Sequence, residues 1–497
     1  METTARNTFK IAMAFFAIAV LCPYFTLAQH DAPIRIELNG AKDQHDYDFA
    51  PADTNGVVVF YDAGQTAWDT TQWFFIHYDT NLVKQKQFSI NLTAQSEFIS
   101  YSKSDELLFL LFEKRQPKKD SARTFIITLD LKNNKHLVTD LSVLDNRYLT
   151  DIYAVPEHFV IRATGTKYDY VYFFDQDRNV LTVLNDIGDY KLNFCTADTA
   201  NHRWLLGLNP SDNGVLGHLF LYEYDWLTSE CAIIPLPKKL DDGNKLLIHT
   251  ARAFPMNADS TLIVGTYNTF IDNYSSGLHS GVYTTILHHN MVDSVRLFNF
   301  TSLKSGTPAS NKDNNLNLQL QVGRGTENGE QFTFVSEVFY PEYTYSYNSY
   351  YDDMRFNTPS TSTVFLGYRF VNAYLTTFDR NGRLLWDNYV LLDNTSIMHL
   401  APVIHTDYLN DDILVYYPHN NRIINTLLNG YETLEKLSSF SIETSSPRDL
   451  IEYNRETDIQ RWYGNNFLVS GYQSLRNRDK GSKGKRYVFF LNKVEYR

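Results

Sequence analysis

The sequence predicts an all-β protein, and three of its features carry this prediction. Aromatic residues make up 15% of the 497 residues, with 34 Tyr and 33 Phe, and such side chains favour strands. The apolar runs are short and lie between turn residues, as buried strands do. These runs recur in pairs along the chain, whereas the 3.6-residue periodicity of an amphipathic helix is scarce. The repeating unit is therefore a strand, a loop and a second strand.

Eight of these strand–loop–strand units can be counted in the sequence. The first runs are 56–62, 106–112, 157–163, 202–208, 260–267, 330–336, 411–417 and 465–472. The second runs are 72–79, 123–130, 169–175, 218–225, 281–289, 372–379, 422–428 and 486–492. Successive units start 45 to 81 residues apart, and weaker strand-like segments lie between them. Four strands in a repeat of this length are typical of a β-propeller, whose blades bury both faces by stacking in a ring.

We therefore predict a β-propeller of seven or eight four-stranded blades, forming a single domain over residues 29–497. The last unit ends at Arg497 and leaves no room for a fourth strand. We expect residues 33–38, PIRIEL, to complete the last blade and close the ring, because closure removes two exposed strand edges. Two separate β domains are the alternative, but no Pro/Ser-rich linker divides the chain.

One hairpin carries a resemblance to known propellers. Residues 378–388, FDRNGRLLWDN, resemble the hairpin of the quinoprotein-like and WD-like superfamily, where an Asp, a Gly turn and a Trp punctuate each blade. Asn381 and Gly382 are the expected tight turn. Residues 175–184 repeat the pattern without Gly or Trp, and the whole chain is similar to exported bacterial proteins of this repeat type. The resemblance implies the fold but no quinone, because the other blades lack the motif, and we expect no cofactor.

The N-terminal segment has the pattern of a secretory signal peptide over residues 1–28. Arg6 and Lys10 are basic, and an apolar run follows from residue 11 to residue 20. An uncleaved anchor is the alternative, but the run is short for a membrane span and Pro23 interrupts it. We expect an exported protein of the periplasm, cell surface or extracellular space, with no transmembrane segment after cleavage.

Charge and cysteine content limit the function classes further. The formal net charge of −12 argues against nucleic-acid binding. Cys195 and Cys231 are predicted to lie in the first and last strands of one blade, three strand spacings or about 14 Å apart. A disulfide needs Cα atoms within about 7 Å, so we predict free, largely buried thiols.

The segment at about 337–371 is predicted to be a hairpin insertion between the second and third strands of its blade. Its candidate contact residues are Tyr343, Tyr345, Tyr347, Tyr350 and Tyr351. The alternation of the first three places their rings on one side of a strand. Loops of this length are often functional, and tyrosine offers a large contact area at low entropic cost. We expect this segment to contact a ligand or partner.

Two basic loops, 114–122 and 473–485, are predicted on the same face of the ring as the tyrosines. The candidate contact residues in the second loop are Arg476, Arg478, Lys480 and Lys483. A protein partner or a glycan or cell-wall polymer, including a polyanionic one, suits such a face. In the alternative interpretation the tyrosines pack against the propeller and the basic loops are solubilising tips.

Sequence motifs of catalysis and metal binding are missing. The chain contains no G-x-S-x-G, H-E-x-x-H or C-x-x-C motif, so we name no catalytic residue and no metal ligand. We expect a binding or scaffold protein of the cell envelope, acting as a monomer or as a subunit of a complex. The alternatives are a polysaccharide hydrolase or lyase with carboxylates in the central funnel, and a structural subunit held by the tyrosine hairpin.

Overall fold

The computed structural model describes the chain from Ile34 to Tyr496 with gaps. The described residues are 34–40, 46–104, 106–114, 121–141, 144–145, 148–165, 167–184, 187–212, 215–239, 245–270, 279–288, 291–293, 295–300, 303, 319–322, 325–348, 360–398, 400–419, 422–479 and 484–496.

The first half of the described chain forms the N-terminal strand and four blades. The N-terminal strand is β1 (Arg35–Asn39). Blade 1 is β2 (Tyr47–Pro51), β3 (Val57–Ala67), β4 (Thr70–Tyr78) and β5 (Lys84–Thr93). Blade 2 is β6 (Ser96–Ser104), β7 (Leu107–Lys114), β8 (Ser121–Asp130) and β9 (Lys135–Asp140), with the short β10 (Leu144–Asp145) also on β8. Blade 3 is β11 (Tyr148–Val155), β12 (His158–Thr164), β13 (Asp169–Asp175) and β14 (Val180–Val183). Blade 4 is β15 (Tyr190–Asp198), β16 (Arg203–Asp212) with the short β17 (Val215–Leu216), β18 (Phe220–Asp225) and β19 (Cys231–Ile234).

The second half forms four more blades. Blade 5 is β20 (Lys245–Asn257), β21 (Ser260–Phe270) and β22 (Gly281–His288), edged by β23 (Met291–Val292) and β24 (Arg296–Asn299). Blade 6 begins with β25 (Gln319–Val322) and β26 (Thr326–Glu327) and continues with β27 (Gln331–Asn348), β28 (Ser360–Asp379) and β29 (Leu384–Ile397). Blade 7 is β30 (His405–Leu409), β31 (Asp412–His419), β32 (Arg422–Asn429) and β33 (Glu432–Ser441). Blade 8 is β34 (Asp449–Arg461), β35 (Asn466–Asn477) and β36 (Lys485–Glu495), and β1 supplies its fourth strand.

The predicted β-propeller is confirmed, and the described strands make eight blades. In every blade the first predicted run is the second strand and the second run is the third strand. Between Ala52 and Gly56 a 3₁₀ turn, Asp53–Asn55, joins β2 to β3. In the described part of the chain, no helix has the length and apolar character needed to cross a membrane.

Blade stacking explains why the strands are apolar without alternation. In β3, Val58 and Phe60 pack in a core cluster with blade 2, whereas Val57 and Val59 pack in another cluster with blade 8. All four side chains are fully buried. Because each face of a blade meets a neighbour, both faces of its inner strands must be apolar.

The ring closes through the N-terminal strand, as predicted, although this strand spans Arg35–Asn39 and not 33–38. It runs antiparallel to β36, with Arg35 opposite Asn492 and Asn39 opposite Val488. The Arg35 side chain is fully buried. It donates to Glu37 Oε1 at 2.8 Å, to Asn492 Oδ1 at 3.0 Å and to Gln473 Oε1 at 2.7 Å. A buried polar cluster therefore fastens the N-terminal strand to β35 and β36 of blade 8.

Buried side chains also connect neighbouring blades by accepting backbone N–H groups. Asp169 of blade 3 accepts from Leu192 N of blade 4 at 3.0 Å. Glu337 of blade 6 accepts from Val403 N at 2.9 Å and from Ile404 N at 2.8 Å, just before blade 7. Desolvation raises the pKa of Glu337 to about 8, against the opposing effect of the two N–H donors. These contacts fix the register of adjacent blades.

The hairpin that resembles known propellers has the predicted turn. Asp379 accepts from Asn381 N and Arg383 N, both at 2.8 Å, and Gly382 adopts a φ of +68° that favours glycine. Trp386 of the same hairpin packs in the core between blades 6 and 7.

The cysteines are free, but the predicted burial is wrong for one of them. Cys195 lies in the first strand of blade 4 and is half-buried, whereas Cys231 lies in the fourth strand and is exposed. The outermost strand of a blade lies at the rim of the ring, where its side chains face solvent.

Candidate functional site

A cavity of about 1090 Å³ lies where the ring closes, between blades 8, 1 and 2. We call it the closure cleft, and its walls are residues 46–48 and 62–64, the start of β6, and the facing parts of β34, β35 and β36. These segments adjoin either a loop between second and third strands or a connection between blades. In an antiparallel blade both kinds of connection emerge on one face of the ring, which we call the upper face. The end of β27 at Asn348 and the start of β28 at Ser360 lie on the same face.

Irregular strand pairing shapes the walls of the closure cleft. The β34–β35 register shifts between Ile451 and Tyr453 and again between Arg455 and Asp458. Further shifts follow Asp62 in β3 and occur near the start of β6. Such bulges bend a strand and redirect its side chains, and they are common beside functional sites.

The wall formed by blades 1 and 2 is acidic. It carries the carboxylates Asp46, Asp48, Asp62 and Glu97. Asp62 accepts from Gly64 N at 2.6 Å. Asp48 is half-buried, and desolvation, followed by the neighbouring charge of Asp46, raises its pKa to about 6. Burial beside a second carboxylate therefore disfavours the anionic form of Asp48.

The wall formed by blade 8 carries the basic side chains Arg455 and Lys485, together with Glu452. Lys485 Nζ lies 3.0 Å from Glu452 Oε2, and Arg476 Nη1 lies 3.7 Å from Glu452 Oε1. The Arg455 guanidinium lies 5.8 Å from the centre of the Tyr472 ring. Of the described side chains that line the cleft, five are carboxylates and two are cations, so the cleft is acidic overall.

Two buried hydrogen-bond donors in the cleft walls lack a partner within the described chain. They are Trp73 Nε1 and Gln473 Nε2. Trp73 is 5% exposed and Gln473 is 1% exposed. Because Gln473 Oε1 accepts from Arg35, the orientation of the amide is fixed and its N–H groups remain unused. An unsatisfied buried donor costs about 1–3 kcal/mol, so an acceptor that reached either group would be bound favourably.

Aromatic rings complete the cleft. Tyr453 and Tyr487 are exposed at its rim, while Phe98 lies deeper, in edge contact with Phe112. The Tyr472 hydroxyl accepts from Tyr47 N at 2.7 Å and so fixes its ring against blade 1. The cleft therefore combines flat apolar faces with a small number of fixed polar groups, as ligand sites do.

The tyrosines that the sequence singled out lie on the hairpin of blade 6. Tyr343 is 53% exposed and Tyr345 is 70% exposed, and the Tyr343 ring centre is 5.5 Å from that of Phe365. Tyr347 belongs to β27, but its side chain lies outside the described part of the structure, as do the whole residues Tyr350 and Tyr351. Their role in binding stays a prediction.

Exposure of the hairpin tyrosines gives a stability prediction. Replacing Tyr343 and Tyr345 together with Ser should change the thermal midpoint by about 2 °C or less, because neither ring is buried in the core. Differential scanning calorimetry measures this. The matched control is Tyr417→Ser, which removes a tyrosine that is 1% exposed and should lower the midpoint by a much larger amount. A large drop for the double variant would show that the rings support the fold.

The basic loop of blade 8 meets the rim of the closure cleft. Arg476 is exposed and faces Glu452 of the cleft wall, whereas Arg478 is exposed and donates its backbone N–H to Arg448 O at 3.0 Å. Lys480 and Lys483 lie outside the described residues, and so do residues 115–120 of the other basic loop. Of the predicted site residues with described side chains, Arg476 alone contacts a residue of the cleft wall.

Sequence reasoning did not find the closure cleft. Its walls come from residues 40–98 and from residues 452–488, which lie at least 354 positions apart, and no local motif connects them. The one signal in the sequence was the predicted pairing of residues 33–38 with the last blade. That pairing places Asp48 of blade 1 beside blade 8, but it does not specify which side chains face each other.

Comparisons with known proteins give propellers of unrelated sequence. No family model matches the chain, and no curated protein matches it. The β-propeller domain of the Trilobed protease from Pyrococcus furiosus is 9% identical with a TM-score of 0.38, over 81% of this chain and 96% of that one. The polysaccharide lyase Uly1 is 7% identical with a TM-score of 0.41, over 80% and 89%. An oligogalacturonate lyase from Vibrio parahaemolyticus is 9% identical with a TM-score of 0.36, over 93% and 99%. Likenesses of this degree carry no argument about activity.

Proposed function

We propose that this protein is an exported binding protein of the cell envelope and that its closure cleft binds a saccharide. The observation that carries the proposal is that Trp73 and Gln473 line the cleft and that their buried donors, Nε1 and Nε2, have no partners in the described chain. The hydroxyl and ring oxygens of a sugar supply the acceptors that these groups need. Sugar hydroxyls also donate, and the carboxylates of the opposite wall accept.

The charge of the cleft selects among saccharides. Because five carboxylates oppose two cations, the cleft would repel a polyanionic glycan. The basic loops had suggested such a glycan as one possible ligand, but the charge of the cleft does not favour it. The rims at Tyr453 and Tyr487 offer flat surfaces against which the less polar faces of sugar rings can pack. A neutral or cationic glycan therefore suits the cleft better than an acidic one.

The tyrosine hairpin extends the proposal to a second contact. It rises from the upper face on blade 6, and Tyr343 and Tyr345 present exposed rings there. Together with Arg476 and Arg478 on blade 8, this hairpin would contact a cell-wall polymer or a protein partner. That contact would hold the propeller in the envelope. Export through removal of residues 1–28 belongs to the same proposal.

The cleft is tested by removing one donor. In Trp73→Phe the aromatic ring remains but the N–H is lost, so the affinity for the bound oligosaccharide should fall about 3- to 10-fold, the value of one hydrogen bond. Isothermal titration calorimetry of the 29–497 protein against a panel of neutral and amino oligosaccharides measures this. Trp204→Phe is the matched control, because Trp204 is equally buried but lies in the core of blade 4. Equal losses in both variants, or binding by no saccharide, would contradict the proposal.

A second candidate is a polysaccharide-cleaving enzyme. The specific observation in its favour is Asp48, a half-buried cleft carboxyl with its pKa raised to about 6, since glycosidases use a carboxylic acid held protonated near neutral pH. Incubating the protein with the oligosaccharides that it binds, followed by a reducing-end assay, distinguishes the two candidates. Release of reducing ends favours the enzyme, and binding without release favours the binding protein.

A further inference from the structure

We infer that the saccharide held in the closure cleft carries free amino groups, as in an oligomer of glucosamine. This inference rests on the proposed function and specifies its ligand class. Three carboxylates of the acidic wall, Asp46, Asp48 and Glu97, form no ion pair within the described part of the chain. They face a cavity large enough for several sugar units.

The two other carboxylates of the cleft already have partners. Glu452 is paired with Lys485 and Arg476, and Asp62 accepts from Gly64 N. The free negative charge is therefore concentrated on the side of blades 1 and 2, where Asp48 is half-buried and lies close enough to Asp46 for their charges to interact. A protonated amine at this wall would remove that repulsion and form charge-assisted hydrogen bonds.

The remaining groups of the cleft favour an ammonium group on a sugar over a bare metal ion. Trp73 and Gln473 offer donors, which a cation alone cannot use, whereas hydroxyl and ring oxygens can accept from them. The rings of Tyr453 and Tyr487 add faces that attract an ammonium group. A divalent ion gains mainly from oxygen ligands and leaves both the donors and the rings unused.

The two walls of the cleft carry opposite charges, and this separation of charge orients the ligand. Its acidic wall belongs to blades 1 and 2, and its cations Arg455 and Lys485 belong to blade 8. An amino sugar would direct its amine towards Asp48 and its hydroxyl oxygens towards the guanidinium and ammonium donors. The acetylated amine has lost its charge and gained bulk, so it should be discriminated against.

The test uses three tetrasaccharides with the same β-1,4-linked backbone. Glucosamine, N-acetylglucosamine and glucose tetramers differ only at C2, where they carry an ammonium, an acetamide and a hydroxyl group. Calorimetric titration of the 29–497 protein at about pH 6 and low salt should show the glucosamine tetramer binding on the order of 10-fold more tightly than the other two. Equal or weaker binding of the glucosamine tetramer overturns this inference but leaves the saccharide proposal intact. If none of the three tetramers binds and no other sugar of the panel binds, both proposals are contradicted; if only another sugar binds, the inference alone is overturned.

A matched pair of variants assigns the preference to the acidic wall. Asp48→Asn should weaken binding of the glucosamine tetramer on the order of 5- to 10-fold and leave binding of the glucose tetramer within about 2-fold. Asp177→Asn is the control, because it removes one acid from the turn between β13 and β14, outside the cleft, and should change neither affinity. A thermal midpoint equal to that of the wild type confirms that each variant is folded. An unchanged preference in Asp48→Asn, or displacement of the tetramer by stoichiometric calcium chloride, overturns the inference.

Discussion

Replacing Glu337 with glutamine is expected to remove a loss of stability that the wild-type protein undergoes between about pH 4.5 and pH 8. The Glu337 carboxyl is fully buried, and its folded-state pKa of about 8 lies above its ordinary value of 4.5. Within this range the folded protein keeps the proton and the unfolded chain releases it. The stabilising effect is therefore complete below pH 4.5 and is lost as the pH rises through 8.

The size of this loss of stability follows from the shift in the pKa of Glu337. It amounts to on the order of 3–5 kcal/mol across the range, because each pKa unit corresponds to about 1.4 kcal/mol. Denaturant unfolding of wild type and Glu337→Gln at half-unit steps of pH should give curves that agree near pH 4.5 and separate steadily above it, with glutamine the more stable. Asp48 and Asp407 also titrate in this range, with pKa values raised to about 6, but they contribute equally to both proteins.

Two further variants make the Glu337 result specific. Glu330→Gln changes an exposed acid of the same blade and should leave the curve of the wild type unchanged. Glu337→Ala should be destabilised at every pH by about 2–4 kcal/mol, because Val403 N and Ile404 N lose their acceptor. Parallel pH curves for wild type and Glu337→Gln would mean that the carboxyl is already ionised in the folded protein.

Replacing Arg35 with alanine is expected to lower the free energy of unfolding by about 3–5 kcal/mol. The guanidinium is fully buried, so its loss removes the donor that Asn492 Oδ1 and Gln473 Oε1 share at the point where the ring closes. Glu37 loses one of its two cationic partners and keeps Arg486. Arg35→Lys should lose a large part of the same stability, because one ammonium cannot reproduce three directed contacts. Thermal melting and limited proteolysis of the N-terminal strand measure the effect.

An exposed arginine provides the control for Arg35. Arg178 is 55% exposed and lies 3.5 Å from Asp175, and Arg178→Ala should change the stability by about 0.5 kcal/mol or less. Saccharide affinity should fall in Arg35→Ala but not in Arg178→Ala, because Arg35 orients the Gln473 amide of the closure cleft. A midpoint for Arg35→Ala within about 2 °C of the wild type would show that the strand pairing of β1 closes the ring without this cluster.

The second and third strands of every blade could be predicted from the sequence because strands buried on both faces are continuously apolar. Val57–Phe60 are apolar at four successive positions since blade 8 packs on one face and blade 2 on the other. The outer strands carry a weaker signal. β33, for example, is exposed at nearly every position, and its sequence ETLEKLSSFS has no apolar alternation. Exposure of Cys231 was mispredicted for the same reason, because outer strands need little apolar sequence.

The closure cleft could not be predicted from local composition. Trp73 and Gln473 are 400 positions apart, and each alone has the composition of an ordinary strand residue. Their lack of partners depends on where Arg35 directs the Gln473 amide and on the irregular pairing of β34 with β35 in the cleft wall. Such features arise only from three-dimensional packing. The tyrosine hairpin was visible because its signal, alternating rings in a long insertion, lies within one segment.

Because the cleft lies where the ring closes, both of its walls are present only after the ring has closed. One wall contains Asp46 and Asp48, and the other contains Lys485 and Tyr487, which a ribosome adds more than 400 residues later. A chain that lacks either of these segments lacks one wall of the cleft. A sugar bound there would contact blades 1 and 8 together and would add its binding free energy to that of ring closure. The proposed ligand would then slow both the opening of the ring and its proteolysis.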